Sequence, residues 1–223
     1  MLIGKSFQLY IKVKIFLLKE QLFIFKNCYK NWKFILTDLF LFVSRFFINP
    51  FRSCRKFLEK KGEDDVHQYG ETPVLVLLKI IKLADIKKSD KFLELGSGRG
   101  RSCFFLSEKV RCHVVGIEIV PTLYSLSYIL KKFFGFERID FYKEDMMISH
   151  LDGFNVIYLY GTGLSRPLIK SLTCKFSSLK KNTKIITISY PLTYYDSDHF
   201  ILEKDVDVEF AWGKTKAYLN LLK

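Results

Sequence analysis

The chain has 223 residues, of which 49% are hydrophobic and 26% charged, a balance that excludes a disordered chain and allows one packed α/β domain with an appendage. The net charge of +13 is uneven, because residues 1–61 carry 13 Lys/Arg against 3 Asp/Glu and hold 14 of the 36 aromatic residues. The five cysteines, Cys28, Cys54, Cys103, Cys112 and Cys174, show no metal-ligand spacing, so no metal site is expected and free thiols in a reducing compartment are.

Residues 1–61 read as a helical, aromatic and basic appendage. Over Trp32–Ile48 the polar residues Thr37, Asp38, Ser44 and Arg45 fall near one stripe at helical spacing. Phe34, Leu39, Phe40, Phe42, Phe46 and Phe47 cover the wide remaining face. With Lys33, Arg52, Arg55 and Lys56 beside it, this pattern suits a helix lying in a membrane interface; packing on its own domain or on a partner helix is the alternative. No apolar run reaches the ~18–20 residues that span a bilayer, and no signal-peptide pattern is evident. The expected location is the cytoplasm, peripheral on the inner membrane face. The polar break over Lys60–Asp65 divides the appendage, 1–61, from a domain over 62–223.

Thr72 before Pro73 predicts a helix start, with Thr72 as its cap and the helix running to about Leu83. Strands and helices then alternate. Strands are expected at Lys91–Leu95, His113–Ile119, Ile139–Lys143, Asn155–Tyr160 and Lys184–Ser189. Helices are expected from Gly100 to Val110, Thr122 to Phe134 and Ser165 to Ser178. Two closing strands, Phe200–Phe210 and Lys216–Leu222, form an antiparallel pair. The alternation predicts an α/β fold class: a Rossmann-like, doubly wound seven-stranded sheet with helices on both faces, plus the N-terminal appendage.

The first strand ends in Glu94-Leu-Gly-Ser-Gly-Arg-Gly100, at the sheet edge where doubly wound proteins bind ligands. Its spacing is G-x-G-x-G, not the G-x-G-x-x-G of a dinucleotide site. Glu94 beside the turn suits a cationic sulfonium and amino group, and would be unhelpful beside a pyrophosphate. S-adenosylmethionine carries both groups; a tight connection alone is the other reading of such a turn. Glu118 ends the second strand 22 residues after Gly96 and can accept from both ribose hydroxyls, a device that NAD sites share. Asp145 follows the third strand and can accept from the adenine amino group, with Met146 over the ring; capping a short helix is its other reading. Tyr160 and Thr162, after the fourth strand, are candidates for orienting a nucleophile.

These segments resemble class I methyltransferases. Tyr69-Gly-Glu-Thr-Pro73, Val156-Ile-Tyr-Leu-Tyr160 and Trp212-Gly-Lys-Thr-Lys-Ala-Tyr-Leu219 are similar to the small lysine methyltransferases related to the ATP synthase c subunit enzyme. The Tyr-Gly-Glu portion also resembles the non-SET histone lysine methyltransferases. The resemblance spans roughly residues 66–223. It implies S-adenosylmethionine held by Glu94, Gly96, Ser97, Gly98, Gly100, Glu118, Asp145 and Met146, with Tyr69 and Thr72 at the pocket mouth. It implies a protein lysine as acceptor. Arg99 stands where the small group commonly has Asp, which implies a more positive pocket entrance. An anionic membrane surface is the expected partner of residues 1–61, and nucleic acid is disfavoured because no Asn-Pro-Pro-Tyr-type segment is present. The alternatives are an RNA or small-molecule methyltransferase and a non-catalytic adaptor at a membrane.

Overall fold

A computed structural model describes residues 2–27, 31–63 and 65–223, with side chains from residue 11 onward. Three helices come first: α1 over Leu2–Asn27, α2 over Trp32–Ser44 and α3 over Pro50–Lys61. Pro50 at the first turn and Gly62 in the left-handed conformation at the end delimit α3, and the Asn49 side chain accepts from Arg52 N. Next come α4 (Val74–Leu83), β1 (Lys91–Leu95), α5 (Arg101–Lys109), β2 (His113–Ile117), α6 (Pro121–Phe134) and β3 (Ile139–Tyr142). The chain closes with β4 (Val156–Leu159), α7 (Arg166–Ser177), β5 (Lys184–Ile188), β6 (Phe200–Phe210) and β7 (Gly213–Leu222). A short 3-10 turn at Leu192–Tyr194 lies between β5 and β6.

The strands form one sheet in the order β3-β2-β1-β4-β5-β7-β6. Neighbours from β3 to β5 are parallel, and β7 is antiparallel to both β5 and β6. Strand alternation divides the core. Phe92, Val114 and Val156 face α4 and α5, while Leu93, Val115 and Ile157 face Ile169, Leu172 and Phe176 of α7. The order reverses between β1 and β4, so the ends of β1, β2 and β4 converge on one crevice.

The structure gives the direction of the α2 stripe and corrects one cap. The polar stripe of α2 faces the protein: Thr37, Asp38 and Ser44 are buried, while Leu39, Phe40, Phe46 and Phe47 are exposed. The reason is a pair of buried arginines beneath α2 that bond Asp38 and Ser44, while the Thr37 hydroxyl donates to Lys33 O within the helix. Thr72 does not cap α4. Pro73 occupies the cap position in an extended conformation, and the free Val74 N–H is taken by the Glu20 carboxylate of α1 at 2.6 Å. Among the described residues, no helix is long and apolar enough to cross a membrane. Cys54, Cys103, Cys112 and Cys174 are free thiols, and Cys28 lies outside the described residues.

Candidate active site

The glycine turn is built by backbone hydrogen bonds. Gly96 N and Ser97 N both donate to Ile117 O at 2.9 Å, and Gly100 N donates to Ser97 O at 2.8 Å. Gly96, Gly98 and Gly100 have φ of +76°, +57° and +77°, a region costly for side-chain-bearing residues. Glu118 locks the turn from β2. Its Oε2 accepts from Gly98 N and its Oε1 from Val120 N, both at 2.7 Å. Burial pushes the Glu118 carboxyl above the usual range, and these backbone donors hold it back. Glu118 also lines the cleft beside the turn, where its carboxylate can accept from a ligand hydroxyl.

A cleft of about 400 Å³ opens beside the turn, lined by Gly96, Glu118, Asp145, Met146, Met147 and Leu58 among others. Asp145 both lines this cleft and shapes its wall: Oδ1 accepts from Met147 N at 2.9 Å. Lys175 was not legible in the sequence as a site residue. Its ammonium, on α7, donates to the carbonyls of Met146 and Met147 at 3.0 Å and to that of Ser149, and so braces the wall.

Glu94 lies deeper, against the start of α5. It accepts from Ser102 Oγ and, at 3.0 Å, from Cys103 Sγ. Burial pushes its carboxyl up to about 7, Ser102 and Cys103 oppose that rise, and Glu118 adds to it. A small cavity of about 20 Å³ connects Glu94, Gly96, Ser97 and Gly98 to Tyr69, Thr72 and Tyr160. Thr72 Oγ1 is 2.7 Å from Tyr158 OH, and Tyr69 OH donates to Glu71 at 2.6 Å. Gly100 lines neither space; a Cβ there would meet the Phe141 ring at 2.5 Å, so its role is close packing. Thr162 lines none of these cavities.

On the far side of Tyr69 and Tyr160 is an apolar chamber of about 630 Å³, walled by α1, Phe51, Phe210 and Trp212. Trp212 Nε1 donates to Tyr160 OH at 2.8 Å, and Phe210 stacks on Trp212. Tyr69, Gly70, Glu71, Arg101 and Tyr160 line both the chamber and the small cavity. Gly70 is required at that boundary, since a Cβ would lie 2.4 Å from the Tyr160 ring.

Arg99 is not at an entrance. It is 1% exposed and reaches away from the cleft to Glu71 and α2. Glu71, the acid of the Tyr69–Pro73 segment, was missed as a hub: it accepts from Tyr69, Arg99 and Arg45. Sequence offered one signal for it, an unexpected arginine in the turn with a lone acid nearby in the motif.

The residues fit S-adenosylmethionine. Ser97 Oγ is buried without a hydrogen-bond partner in the wall of the small cavity, a hydroxyl left for a polar ligand. Glu94 supplies a buried carboxylate for a cation, and Glu118 and Asp145 supply acceptors along the cleft.

Comparison with known proteins agrees. The family description "Histone methylation protein DOT1" matches residues 59–212. A histone-lysine N-methyltransferase, H3 lysine-79 specific, of Dictyostelium discoideum is 30% identical over 135 residues. That match covers 54% of this chain but only 7% of the relative's length. An RNA methyltransferase from Salinibacter ruber, solved with S-adenosyl-L-homocysteine, superposes with TM-score 0.58 at 23% identity, covering 68% of this chain and 94% of that one. TrmN from Thermus thermophilus gives 0.61 at 14%, covering 69% and 50%. At these identities the solved structures establish the fold. The chain belongs to the DOT1 histone methylation family of S-adenosylmethionine-dependent class I methyltransferases.

Proposed function

We propose that this protein transfers a methyl group to the side-chain amine of a lysine in a protein substrate. The observation that carries the reading is the shared wall of Tyr69, Gly70, Glu71 and Tyr160, which joins the glycine turn to an aromatic chamber on the other side. The bound cofactor supplies an electrophilic methyl on a sulfonium. Glu94, Glu118 and Asp145 bind and orient it. The chamber's role is to align the acceptor and exclude water. Phe210, Trp212 and Tyr160 present ring faces that suit an alkylammonium, and the apolar surroundings favour its loss of a proton. With the cofactor held by Glu94, Glu118 and Asp145, the chamber would present the amine, its proton released to solvent, in line with the sulfonium methyl. The likeness of Tyr69–Pro73 and Trp212–Leu219 to the small lysine methyltransferases supports the same acceptor.

The test is transfer of labelled methyl to core histones and to a whole lysate. A labelled protein band, lost in Glu118→Ala and reduced in Tyr160→Phe with cofactor binding retained, is the expected result. Label in RNA alone overturns the lysine reading.

A second reading concerns location. We propose that α1–α3 dock on an anionic phospholipid surface. Ile11, Ile15, Leu18, Leu22 and Phe25 recur at four- and three-residue spacing on α1 and are all exposed, as are Phe46 and Phe47 after α2. The basic surplus of residues 1–61 complements anionic headgroups.

A further inference from the structure

Two arginines of the glycine turn, Arg99 and Arg101, border the small cavity and send their guanidiniums into the N-terminal helices. Arg101, the first residue of α5, donates from Nε to Asp38 Oδ1 at 2.6 Å and from Nη1 to Glu20 Oε1 at 3.0 Å. Arg99 donates from Nη1 to Leu41 O at 2.6 Å and to Ser44 Oγ at 3.2 Å, besides its bonds to Glu71. Glu20 Oε1 also takes the Val74 N–H, so one α1 carboxylate ties α4 to α5. Glu20, Asp38, Leu41 and Ser44 all precede the residues 59–212 that match the family.

The burial of these groups makes the arrangement costly to disturb. Both guanidiniums and both carboxylates are nearly inaccessible, and a buried charge left without its partner is strongly unfavourable. Backbone hydrogen bonds at Gly96, Ser97 and Gly100 close the turn they flank, but its glycines offer no side chains to brace it. Gly98 and Gly100 carry no side chains, and both adopt positive φ. On the cleft side a single side chain, Glu118, grips Gly98 N. On the opposite side the anchors are Arg99 and Arg101, and their partners lie largely in α1 and α2.

We infer that α1 and α2 are a working part of the cofactor site. Asp38 and Glu20, acting through Arg101, and the Leu41 carbonyl and Ser44, acting through Arg99, hold the Gly98–Gly100 turn in the shape that receives S-adenosylmethionine and so set its affinity. They touch no cofactor and are positioning residues. The inference rests on the cofactor reading above.

The experiment measures the S-adenosylmethionine dissociation constant by calorimetry, together with the melting temperature, on the full chain and on Arg101→Lys, Asp38→Asn, Asp38→Glu, Ser44→Ala and Phe34→Leu. Arg101→Lys keeps the charge but cannot span both carboxylates. We expect Arg101→Lys and Asp38→Asn to weaken binding by about tenfold, and Asp38→Glu to recover most of the loss. Phe34→Leu perturbs the packing of α2 against Phe105 without touching either arginine, so it lowers the melting temperature and leaves the dissociation constant unchanged. Where a charge variant does not fold, Ser44→Ala decides: weakening by about twofold or more supports the inference, and wild-type affinity overturns it. Folded Arg101→Lys or Asp38→Asn binding like wild type also overturns it. Affinity that tracks melting temperature across all variants, Phe34→Leu included, overturns it as well. A wild-type chain that fails to bind the cofactor refutes the cofactor reading instead.

Discussion

Arg99 and Glu71 meet behind the glycine turn, with the guanidinium Nε 2.8 Å from Glu71 Oε1 and Arg45 reaching the other carboxylate oxygen. The arginine that the sequence placed at the pocket entrance is thus neutralised inside the protein. Burial alone would push the Glu71 carboxyl up, but Arg99, Arg45 and Arg101 outweigh it and hold the group at about 2, below its ordinary 4.5. A depressed acid stabilises the fold above its unfolded pKa, and that stability is lost as pH falls through the folded value. Stability should therefore decline from about pH 4.5 toward about pH 2. Urea unfolding of Glu71→Gln checks this: it should flatten that acid limb and cost about 3–5 kcal/mol at neutral pH by stranding Arg99.

Glu94 runs in the opposite direction. Burial raises its carboxyl to about 7 from 4.5, against the pull of Ser102 and Cys103. The folded protein keeps this proton where the unfolded chain has lost it, so the group's contribution to stability falls as pH rises between those values and is level above them. A cation beside Glu94 favours the ionised form. S-adenosylmethionine should accordingly bind about tenfold more weakly at about pH 6 than at about pH 8. Calorimetry at the two pH values reads this directly. Glu94→Gln should bind weakly at both, with little pH dependence, and a flat wild-type profile would separate Glu94 from the cofactor's charge.

Much of the sheet was legible because its signals are local. Lys91–Leu95 is a short apolar run ending in glycine, and Gly135 closes α6 as the sequence pattern implies. β2 to β5 end one or two residues before the expected carboxyl ends, β2 stopping at Ile117 so that Glu118 can turn back onto Gly98, while β7 starts three residues early at Gly213. What sequence could not give was long-range pairing. Nothing in Asp38 or in Glu20 says that an arginine more than sixty residues on will pair with them in the interior. Helical periodicity located the polar stripe of α2 but not the direction it faces. The same limit hid Lys175, whose partners are backbone carbonyls that carry no sequence signature.

The glycines of the turn should separate by mechanism. Gly96 lines both the cleft and the small cavity, and a Cβ there meets no protein atom within 4 Å. Gly100 lines neither, and a Cβ would lie 2.5 Å from Phe141 and 3.1 Å from Ser127. Both carry positive φ, so alanine costs about 1 kcal/mol of strain at either. Gly100→Ala should add a packing clash of about 1–3 kcal/mol and lower the melting temperature the more. Gly96→Ala should keep more stability yet lose cofactor affinity, because its methyl projects into the space the cofactor needs. Melting curves with and without S-adenosylmethionine distinguish the two.

Phe46 and Phe47 test the membrane reading, since they are 80% and 86% exposed and make few packing contacts to lose. The double change to serine should alter folding stability by no more than about 0.5 kcal/mol. On vesicles the consequence is different. Fully burying a phenylalanine is worth about 1.5–3 kcal/mol, so losing two should reduce partitioning by about a hundredfold or more. Co-sedimentation with vesicles of phosphatidylcholine and phosphatidylglycerol gives the readout. Wild-type binding should weaken on phosphatidylcholine alone and in high salt, because the basic residues of α1 and α3 attract anionic headgroups over short range. Binding that ignores both lipid charge and the two phenylalanines would remove the lipid surface as occupant of this face. Dimerisation of the wild-type chain, abolished by the same double change, would assign the face to a second copy.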